Sequence, residues 1–301
     1  MNVIDMHCDS LLVSCRDRGL ISRYNVSEKY PFLQFFAAFV PRDERPPEMR
    51  RRELMRLSEV YTAECERLGL AHVRDSRELS GLLSGGGRGA MLTVEGGGGL
   101  FADSAELDTL LTLGVKVMGL VWDTNELGTS SWDKDDRGLT KEGVEMIERL
   151  SERGVIIDVS HMSDKTFYDT IAATSYPVLA THSNFREVTD SPRNLTLDMA
   201  KRIVDRGGVI GMNLYPGFLS ERNASVADIY RHVDYALDKL GEDCFALGCD
   251  IDGTDGRYPE GLDETSSIHD RVIDTLCQRY GERITEKIAW RNAADFLAAN
   301  L

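Results

Sequence analysis

The sequence lacks the marks of several protein classes. No apolar run approaches the roughly 18 residues that a membrane-spanning helix needs, so we expect no membrane partner. The first residues show no basic segment followed by an apolar core, and the final "ADFLAANL" is too short and mixed for a lipid-anchor signal. The six cysteines contain no CxxC pair and are scattered, which is typical of reduced thiols. These absences predict a cytoplasmic protein.

Positive charge is also scarce. Lys and Arg number 35 against 50 Asp and Glu, which gives a formal net charge of −15. Such a surface repels phosphate backbones, so we expect no nucleic-acid partner. Two glycine clusters, "SGGGRG" (84–89) and "EGGGGL" (95–100), match neither a P-loop nor a GxGxxG motif that opens a helix. We interpret them as tight turns.

What the chain does contain is a repeated pattern of short apolar runs and amphipathic segments. Amphipathic patterns over 47–69, 140–154, 196–208 and 225–241 are typical of helices. Eight apolar runs read as strands buried on both faces, as in parallel sheets. They cover residues 2–6, 32–40, 89–94, 115–121, 154–160, 176–181, 207–214 and 244–249.

This alternation predicts an α/β fold, a (β/α)8 TIM-like barrel. An open doubly wound sheet is the alternative, and strand count alone does not decide between them. No linker divides the chain, and 301 residues suit one such barrel, so we predict a single domain over 1–301.

Polar residues follow most of these predicted strands at their carboxyl ends, where barrel enzymes place their catalytic groups. In chain order they are His7 and Asp9; Glu95; Trp122, Asp123 and Asn125; His161; His182; and Asp250 and Asp252. A single histidine after a strand is more often structural than a metal ligand. Ligand-type residues at four strand ends, with an acid at a fifth, favour a metal site.

Spacing refines the first of these groups. Residues two apart on a strand share a face, so His7 and Asp9 should point together into the barrel mouth, with Asp5 one layer deeper. Cys8 should point away into packing. Imidazole and carboxylate are ligands that zinc and related divalent ions prefer. Glu95 could bridge two such ions, although a helix cap or a solvent-facing position would also explain it.

The ordered motifs resemble those of the renal (membrane) dipeptidase family of zinc metallopeptidases, over nearly the whole chain. They are "DMHCD" (5–9), "TVEGG" (93–97), "IDVSHMS" (157–163), "VLATHSNFREV" (178–188), "SPRNLT" (191–196) and "LGCDIDG" (247–253). The resemblance implies a TIM-like barrel with two Zn²⁺. One ion would take His7, Asp9 and a bridging Glu95, and the other would take Glu95, His161 and His182. It also implies a homodimer.

The same resemblance assigns the remaining site residues. It places Asp250 at the catalytic acid/base and Arg193 at the arginine that holds the substrate carboxylate. Asp252 shares the face of Asp250 by spacing, so the choice of Asp250 depends on the family. Trp122 stands where renal members have a histidine, and Asn125 matches the family's asparagine, so the resemblance implies that both bind substrate. Tryptophan offers one N–H donor and no basic nitrogen, so it cannot act as an imidazolium.

The sequence and the resemblance together predict a metal-dependent dipeptidase with a bridging hydroxide. The resemblance also implies that the enzyme accepts a D-residue at the second position of the dipeptide. Manganese or cobalt would suit the ligand set as well as zinc. One alternative is a binuclear amidohydrolase that acts on another carboxylate-bearing amide, a lactam or an N-acyl amino acid. A barrel that binds metal without catalysis is the other.

Overall fold

The structure, a computed structural model, describes residues 1–12, 27, 29–40, 46–97, 104–254, 256–262 and 267–301. These residues form nine parallel strands. In chain order the strands are β1 (Val3–Asp5), β2 (Phe32–Phe39), β3 (Ala71–His72), β4 (Arg88–Glu95), β5 (Val117–Gly119), β6 (Ile156–Asp158), β7 (Val178–Leu179), β8 (Ile210–Met212) and β9 (Phe245–Leu247). All eight predicted strands are confirmed, although most are shorter than the apolar runs.

Eight of these strands form a barrel. They pair in the order β7-β6-β5-β4-β2-β1-β9-β8, and β3 pairs beside β4 outside that path. Backbone hydrogen bonds from Ala180 N–H to Val209 O (3.1 Å) and from Gly211 N–H to Ala180 O (2.8 Å) join the two ends. The (β/α)8 fold is thereby confirmed, and the open sheet is excluded because its two edges would not be bonded to each other.

Helices alternate with the strands along the described chain. They span Pro47–Leu68, Ser76–Gly85, Ser104–Thr112, Lys141–Glu152, Asp164–Ala173, Leu197–Val204, Pro216–Leu219, Val226–Lys239, Ile268–Glu286, the π-helical Lys287–Arg291, and Asn292–Asn300. The four predicted helices are among them.

Local sequence explains where many of these helices begin. Side-chain oxygens accept a hydrogen bond from the first turn in five of them, and the capping residues are Asp75, Thr140, Ser163, Thr196 and Ser225. Each of these oxygens satisfies a backbone N–H that has no partner within the helix. The helix Pro47–Leu68 ends at Gly69 in a left-handed conformation (φ 64°), which glycine adopts without steric cost.

Alternate strand residues divide the core into two layers. Val3, Met118 and Ile157 belong to the larger cluster, which lies between the strands and the surrounding helices. Ile4 and Leu179 belong to a smaller cluster, which also takes in the helix Asn292–Asn300. Side chains two residues apart on a strand share a face. A residue two positions further along the same strand than a member of this smaller cluster therefore also points toward the barrel axis.

Two further sequence predictions concern the cysteines and membrane-spanning segments. Five cysteines are free thiols; Cys15 lies outside the described residues, as does part of the 95–100 glycine cluster. Across the described chain, no helix combines the length and the hydropathy needed to span a membrane.

Candidate metal centre and active site

The carboxyl ends of the strands bring the predicted metal ligands together. Nε2 of His7 lies 3.9 Å from Oδ1 of Asp9 and 3.6 Å from Oε2 of Glu95. Oε1 of Glu95 lies 2.8 Å from Nε2 of His161 and 3.4 Å from Nε2 of His182. The two oxygens of Glu95 therefore face two different groups of side chains, as expected of a bridging carboxylate.

Three of the groups that could hold a cation lie at this mouth. They are His7–Asp9–Glu95, Glu95–His161–His182 and His7–His182–Asp250, and within each the ligand atoms lie within 4.8 Å of one another. The rings of His7 and His182 also stack with centroids 3.7 Å apart. The first two groups are the ligand sets that the family resemblance implied.

The backbone is strained where it carries these side chains. Among the described residues, the non-glycine positions with positive φ are His161 (67°), Asp250 (56°) and Asp252 (67°). The left-handed region is costly for residues with a Cβ, although Asn, Asp and His tolerate it better than most. Such strain concentrates at functional sites, where the surrounding structure holds it in place.

Burial sets the protonation state of the cluster. It lowers the pKa of His7 to about 3 and also lowers the pKa of His161 and of His182. Neutral imidazole is the form that binds metals. Burial, with the charge of Asp9 next in size, raises the pKa of Glu95, because a buried carboxylate beside others is poorly compensated.

Asp5 does not share the inward face with His7 and Asp9, so that prediction is wrong. Its Oδ2 accepts a 2.7 Å hydrogen bond from Nε2 of His269 on the helix Ile268–Glu286. The strand ends at Asp5, and the alternation breaks after Met6, which lies in the inner cluster. Cys8 packs in the outer cluster, as predicted.

Asp250 is oriented by a residue that the sequence analysis missed. Nδ2 of Asn213 donates to Oδ2 of Asp250 at 2.9 Å, while Oδ1 lies 3.8 Å from Nε2 of His7. Asn213 follows β8, one of the two predicted strands whose ends contributed no candidate residue. Asp252 accepts a 2.7 Å hydrogen bond from the hydroxyl of Ser10.

Arg193 is buried, with only 3% of its surface exposed, and its guanidinium lies 5.3 Å from the ring centroid of Phe218. One of its N–H groups reaches the carbonyl of His182 at 3.4 Å. Within the described part of the chain its Nε has no hydrogen-bond partner. A buried guanidinium with an unused donor is suited to bind a carboxylate.

These side chains line one cavity of about 420 Å³, within the range of small-molecule sites. Its lining includes five aromatic residues, namely Phe39, Trp122, Trp132, Tyr215 and Phe218. Only Trp122 among them was predicted from the sequence. Phe39 ends β2, Phe218 lies on the helix Pro216–Leu219, and Trp132 and Tyr215 lie on loops. They meet at the cavity through tertiary folding, which no local pattern reveals.

Trp122 and Asn125 occupy different positions. The indole of Trp122 packs between Phe39 (4.8 Å between centroids) and His161 (5.8 Å) and faces the cavity. Asn125 does not line the cavity. Its side chain donates to Leu120 O and accepts from Leu127 N–H, both at 2.9 Å, so it shapes the loop that carries Trp122.

A barrel with histidines and carboxylates clustered at its carboxyl end belongs to the class of metal-dependent hydrolases. The sequence matches the membrane dipeptidase family, peptidase family M19, over residues 3–298. The chain belongs to this family, whose members are metallopeptidases that act on dipeptides.

Individual relatives are similar to this chain over about two thirds of its length. An uncharacterised protein from the pqqA 5′ region of Klebsiella pneumoniae is 34% identical over 212 residues, which are 66% of this chain and 77% of that protein. Mouse dipeptidase 3 is 28% identical over 201 residues, which are 64% of this chain but only 41% of the mouse protein. Matches to such longer relatives thus span less than half of their length.

A solved structure with the same fold is a metallopeptidase from Rhodobacter sphaeroides, liganded with a phosphinate mimic of the dipeptide L-Ala-D-Ala. Its TM-score is 0.86 at 23% identity, and the match covers 100% of this chain and 99% of that one.

Proposed function

We propose that this protein is a dipeptidase that works with two divalent cations, zinc in the first instance. One observation carries the proposal: Glu95 turns one carboxylate oxygen toward His7 and the other toward His161 and His182. A structural carboxylate in a buried position would be expected to accept hydrogen bonds from its neighbours. Among the described residues, both oxygens of Glu95 lack such a bond.

The donor set fits divalent cations. Nε2 of His7 is likewise buried and without a hydrogen-bond partner in the described chain. Nε2 of His161 and Nε2 of His182 lie only 2.9 Å apart, and both face Oε1 of Glu95. Unpaired buried charge costs several kcal/mol. Cations held by His7, Asp9 and Glu95, and by Glu95, His161 and His182, would remove that cost.

Bound cations would supply Lewis acidity toward the scissile carbonyl and make water ionise more readily. The protein's own groups would then move the protons. Asp250 is placed to accept a proton from the attacking water and to pass it to the leaving amine. Asn213 holds Oδ2 of Asp250, so Oδ1 is the oxygen that faces His7 and the cluster.

Arg193 would select short substrates. Its guanidinium lines the same cavity as Glu95 and Asp250 and is buried without a carboxylate hydrogen-bonded to its Nε. A dipeptide's terminal carboxylate would match this planar donor in charge and shape. An internal peptide bond of a protein has no such carboxylate nearby, which would limit cleavage to very short peptides.

We further propose that substrates include L-L and L-D dipeptides. The ligand of the Rhodobacter metallopeptidase, a mimic of L-Ala-D-Ala, supports this choice. The cytoplasmic location, the homodimer and the single domain over 1–301 stay predictions from the sequence.

The test joins metal analysis with a substrate panel on the purified chain. We expect about two metals per chain and release of amino acids from L-Ala-L-Ala and L-Ala-D-Ala. Dipeptides with an amidated carboxyl end should be poor substrates, and Arg193→Met should lose the preference for the free acid. A metal-loaded chain that ignores the whole panel would refute the proposal. Faster cleavage of N-acyl amino acids would favour the amidohydrolase alternative.

Asp250→Asn separates catalysis from metal binding. Because the amide cannot take a proton from water, we expect kcat to fall by about 10²- to 10⁴-fold. His161→Ala should instead lower the bound metal, since it removes a ligand. An Asp250→Asn variant with full activity would show that this carboxylate is not the base.

A further inference from the structure

A buried chain of polar groups lies behind one of the candidate metal ligands. Oγ1 of Thr181 lies 2.5 Å from Oδ2 of Asp158 and 2.7 Å from Nδ1 of His182. All three side chains are buried, with at most 5% of their surface exposed. Asp158 ends β6, and Thr181 and His182 follow β7, so the chain crosses between neighbouring strands.

The direction of these hydrogen bonds follows from the donors available. Oδ1 of Asp158 accepts from the backbone N–H of Ser160 (2.9 Å) and of Thr181 (3.0 Å). Burial raises the pKa of Asp158, and the hydrogen bonds donated to the carboxylate oppose that rise by stabilising its charge. A carboxylate only accepts, so the single hydroxyl hydrogen of Thr181 goes to Oδ2. The hydroxyl oxygen can then only accept from Nδ1–H of His182.

We infer that Asp158 and Thr181 are positioning residues that fix His182 in the tautomer with hydrogen on Nδ1. The other nitrogen, Nε2, is then bare and faces Oε1 of Glu95 at 3.4 Å. This inference rests on the proposed metal centre, because a bare Nε2 is the form that binds a cation.

The backbone of Thr181 packs closely against the backbone of β8 and of the residue after β9. A Cβ on Gly211 or on Gly248 would overlap the carbonyl oxygen of Thr181, so only glycine allows β8 and β9 to approach this closely. Ser160 supports the same segment, since its hydroxyl accepts from His182 N–H at 3.3 Å. Its Oγ also lies 3.4 Å from Oγ1 of Thr181, a longer contact than either bond of the chain.

The other histidine of this group lacks such support. Nδ1 of His161 is buried without a hydrogen-bond partner among the described residues. If burial alone required a hydrogen bond at Nδ1, both imidazole rings would have one. The hydrogen-bond chain to Nδ1 is therefore specific to His182.

Two variants of one residue test the inference. Thr181→Val keeps the branched shape and removes the hydroxyl, whereas Thr181→Ser keeps the hydroxyl and removes the methyl group. We expect Val to weaken metal binding by about 10- to 100-fold and Ser to stay near the parent chain. The measurement is the metal retained by the full chain in a series of chelator concentrations. Thr285→Val, which removes a buried hydroxyl that bonds Gly281 O instead, is the control.

Asp158→Asn keeps the inference testable if Thr181→Val does not fold. The amide would donate to Thr181, whose hydroxyl would then donate to Nδ1 and move the ring hydrogen to Nε2. We expect this variant to lose metal, and ¹⁵N-histidine NMR should show the hydrogen on Nε2 of His182.

The outcomes separate the inference from the proposed function. If Thr181→Ser retains little metal and Thr181→Val retains as much as the parent chain, Thr181 acts through the packing of its methyl group. That result would overturn the inference. Unchanged retention and an unchanged tautomer in Asp158→Asn would also overturn it, while the dipeptidase proposal stands. If the parent chain binds no metal, the proposed function fails, and the NMR tautomer still tests the hydrogen-bond chain.

Discussion

Oδ2 of Asp5 lies 2.7 Å from Nε2 of His269, and both residues have no exposed surface. The other oxygen of Asp5 accepts from the backbone N–H of Cys249 (2.8 Å) and of His7 (3.3 Å). One carboxylate thus joins the ends of β1 and β9 to the helix Ile268–Glu286. Each of those strand ends leads directly into a site residue, His7 or Asp250.

Asp5→Asn should destabilise the fold. The amide places N–H groups against buried donors, so we expect the free energy of unfolding to fall by about 3 kcal/mol. Urea denaturation measures this loss. His269→Gln keeps a donor and should cost less, whereas His269→Leu should match Asp5→Asn. Equal stability of Asp5→Asn and the parent chain would show that this pair does not hold the strand ends.

Gly253→Ala should lower activity without unfolding the chain. A Cβ there would overlap Oδ1 of Asp250 and Oδ2 of Asp9, so both carboxylates would have to move. A displacement of that kind commonly costs about 10²-fold in rate, and we expect at least a tenfold fall in kcat/KM. The urea midpoint should change little. Gly81→Ala, which meets no atom within 4 Å, should keep full activity; loss in both variants would contradict the argument.

His232 should make stability depend on pH. Its Nδ1 accepts from Phe185 N–H at 3.3 Å, and burial lowers its pKa from 6.5 to about 4. Between these pH values the unfolded chain binds the proton and the folded chain does not. Stability is therefore full above about pH 6.5 and falls as the pH drops toward 4.

Comparison with His232→Gln isolates that contribution. From pH 7 to pH 5 the free energy of unfolding of the parent chain should fall by about 2 kcal/mol more than that of the variant, because the other titrating groups are shared. Urea denaturation at both pH values gives the difference. Parallel losses would mean that His232 is protonated in the folded chain.

Removal of metal should lower the melting temperature, because the buried carboxylates of the site then repel one another. We expect a chelator to lower the melting temperature of the parent chain, since bound cations stabilise only the folded state. Glu95→Gln should melt higher than the parent chain when both are metal-free, because it removes a buried carboxylate charge. Added zinc should also raise the melting temperature of Glu95→Gln by less than that of the parent chain. Calorimetry with and without chelator measures these melting temperatures. A lower melting temperature for metal-free Glu95→Gln than for the metal-free parent chain would count against the proposed site.

Local pattern predicted much of this molecule because apolar runs and polar strand ends are short-range features. It placed eight strands, and it identified His7, Glu95, His161 and His182 as neighbours from their positions alone. The direction of Asp5 escaped it, because the two-residue period stops where the strand stops. Asp158 and Thr181 escaped it too, since their role depends on a contact across two strands.

The cavity's aromatic lining shows the same limit. Trp132 lies in a loop that folds back over the mouth through long-range contacts such as the Ser130–Met162 bridge. No periodicity in the sequence encodes that return. Asn125 was assigned to substrate by resemblance, and the structure gives it hydrogen bonds within its own loop instead.

The left-handed backbone at His161, Asp250 and Asp252 has an evolutionary consequence. Each such position costs on the order of 1 kcal/mol, and glycine would relax it. A lineage selected for stability alone would therefore discard these side chains and keep an intact barrel. If these side chains serve the proposed chemistry, a relative that has replaced them should be sought among proteins that melt higher and no longer cleave.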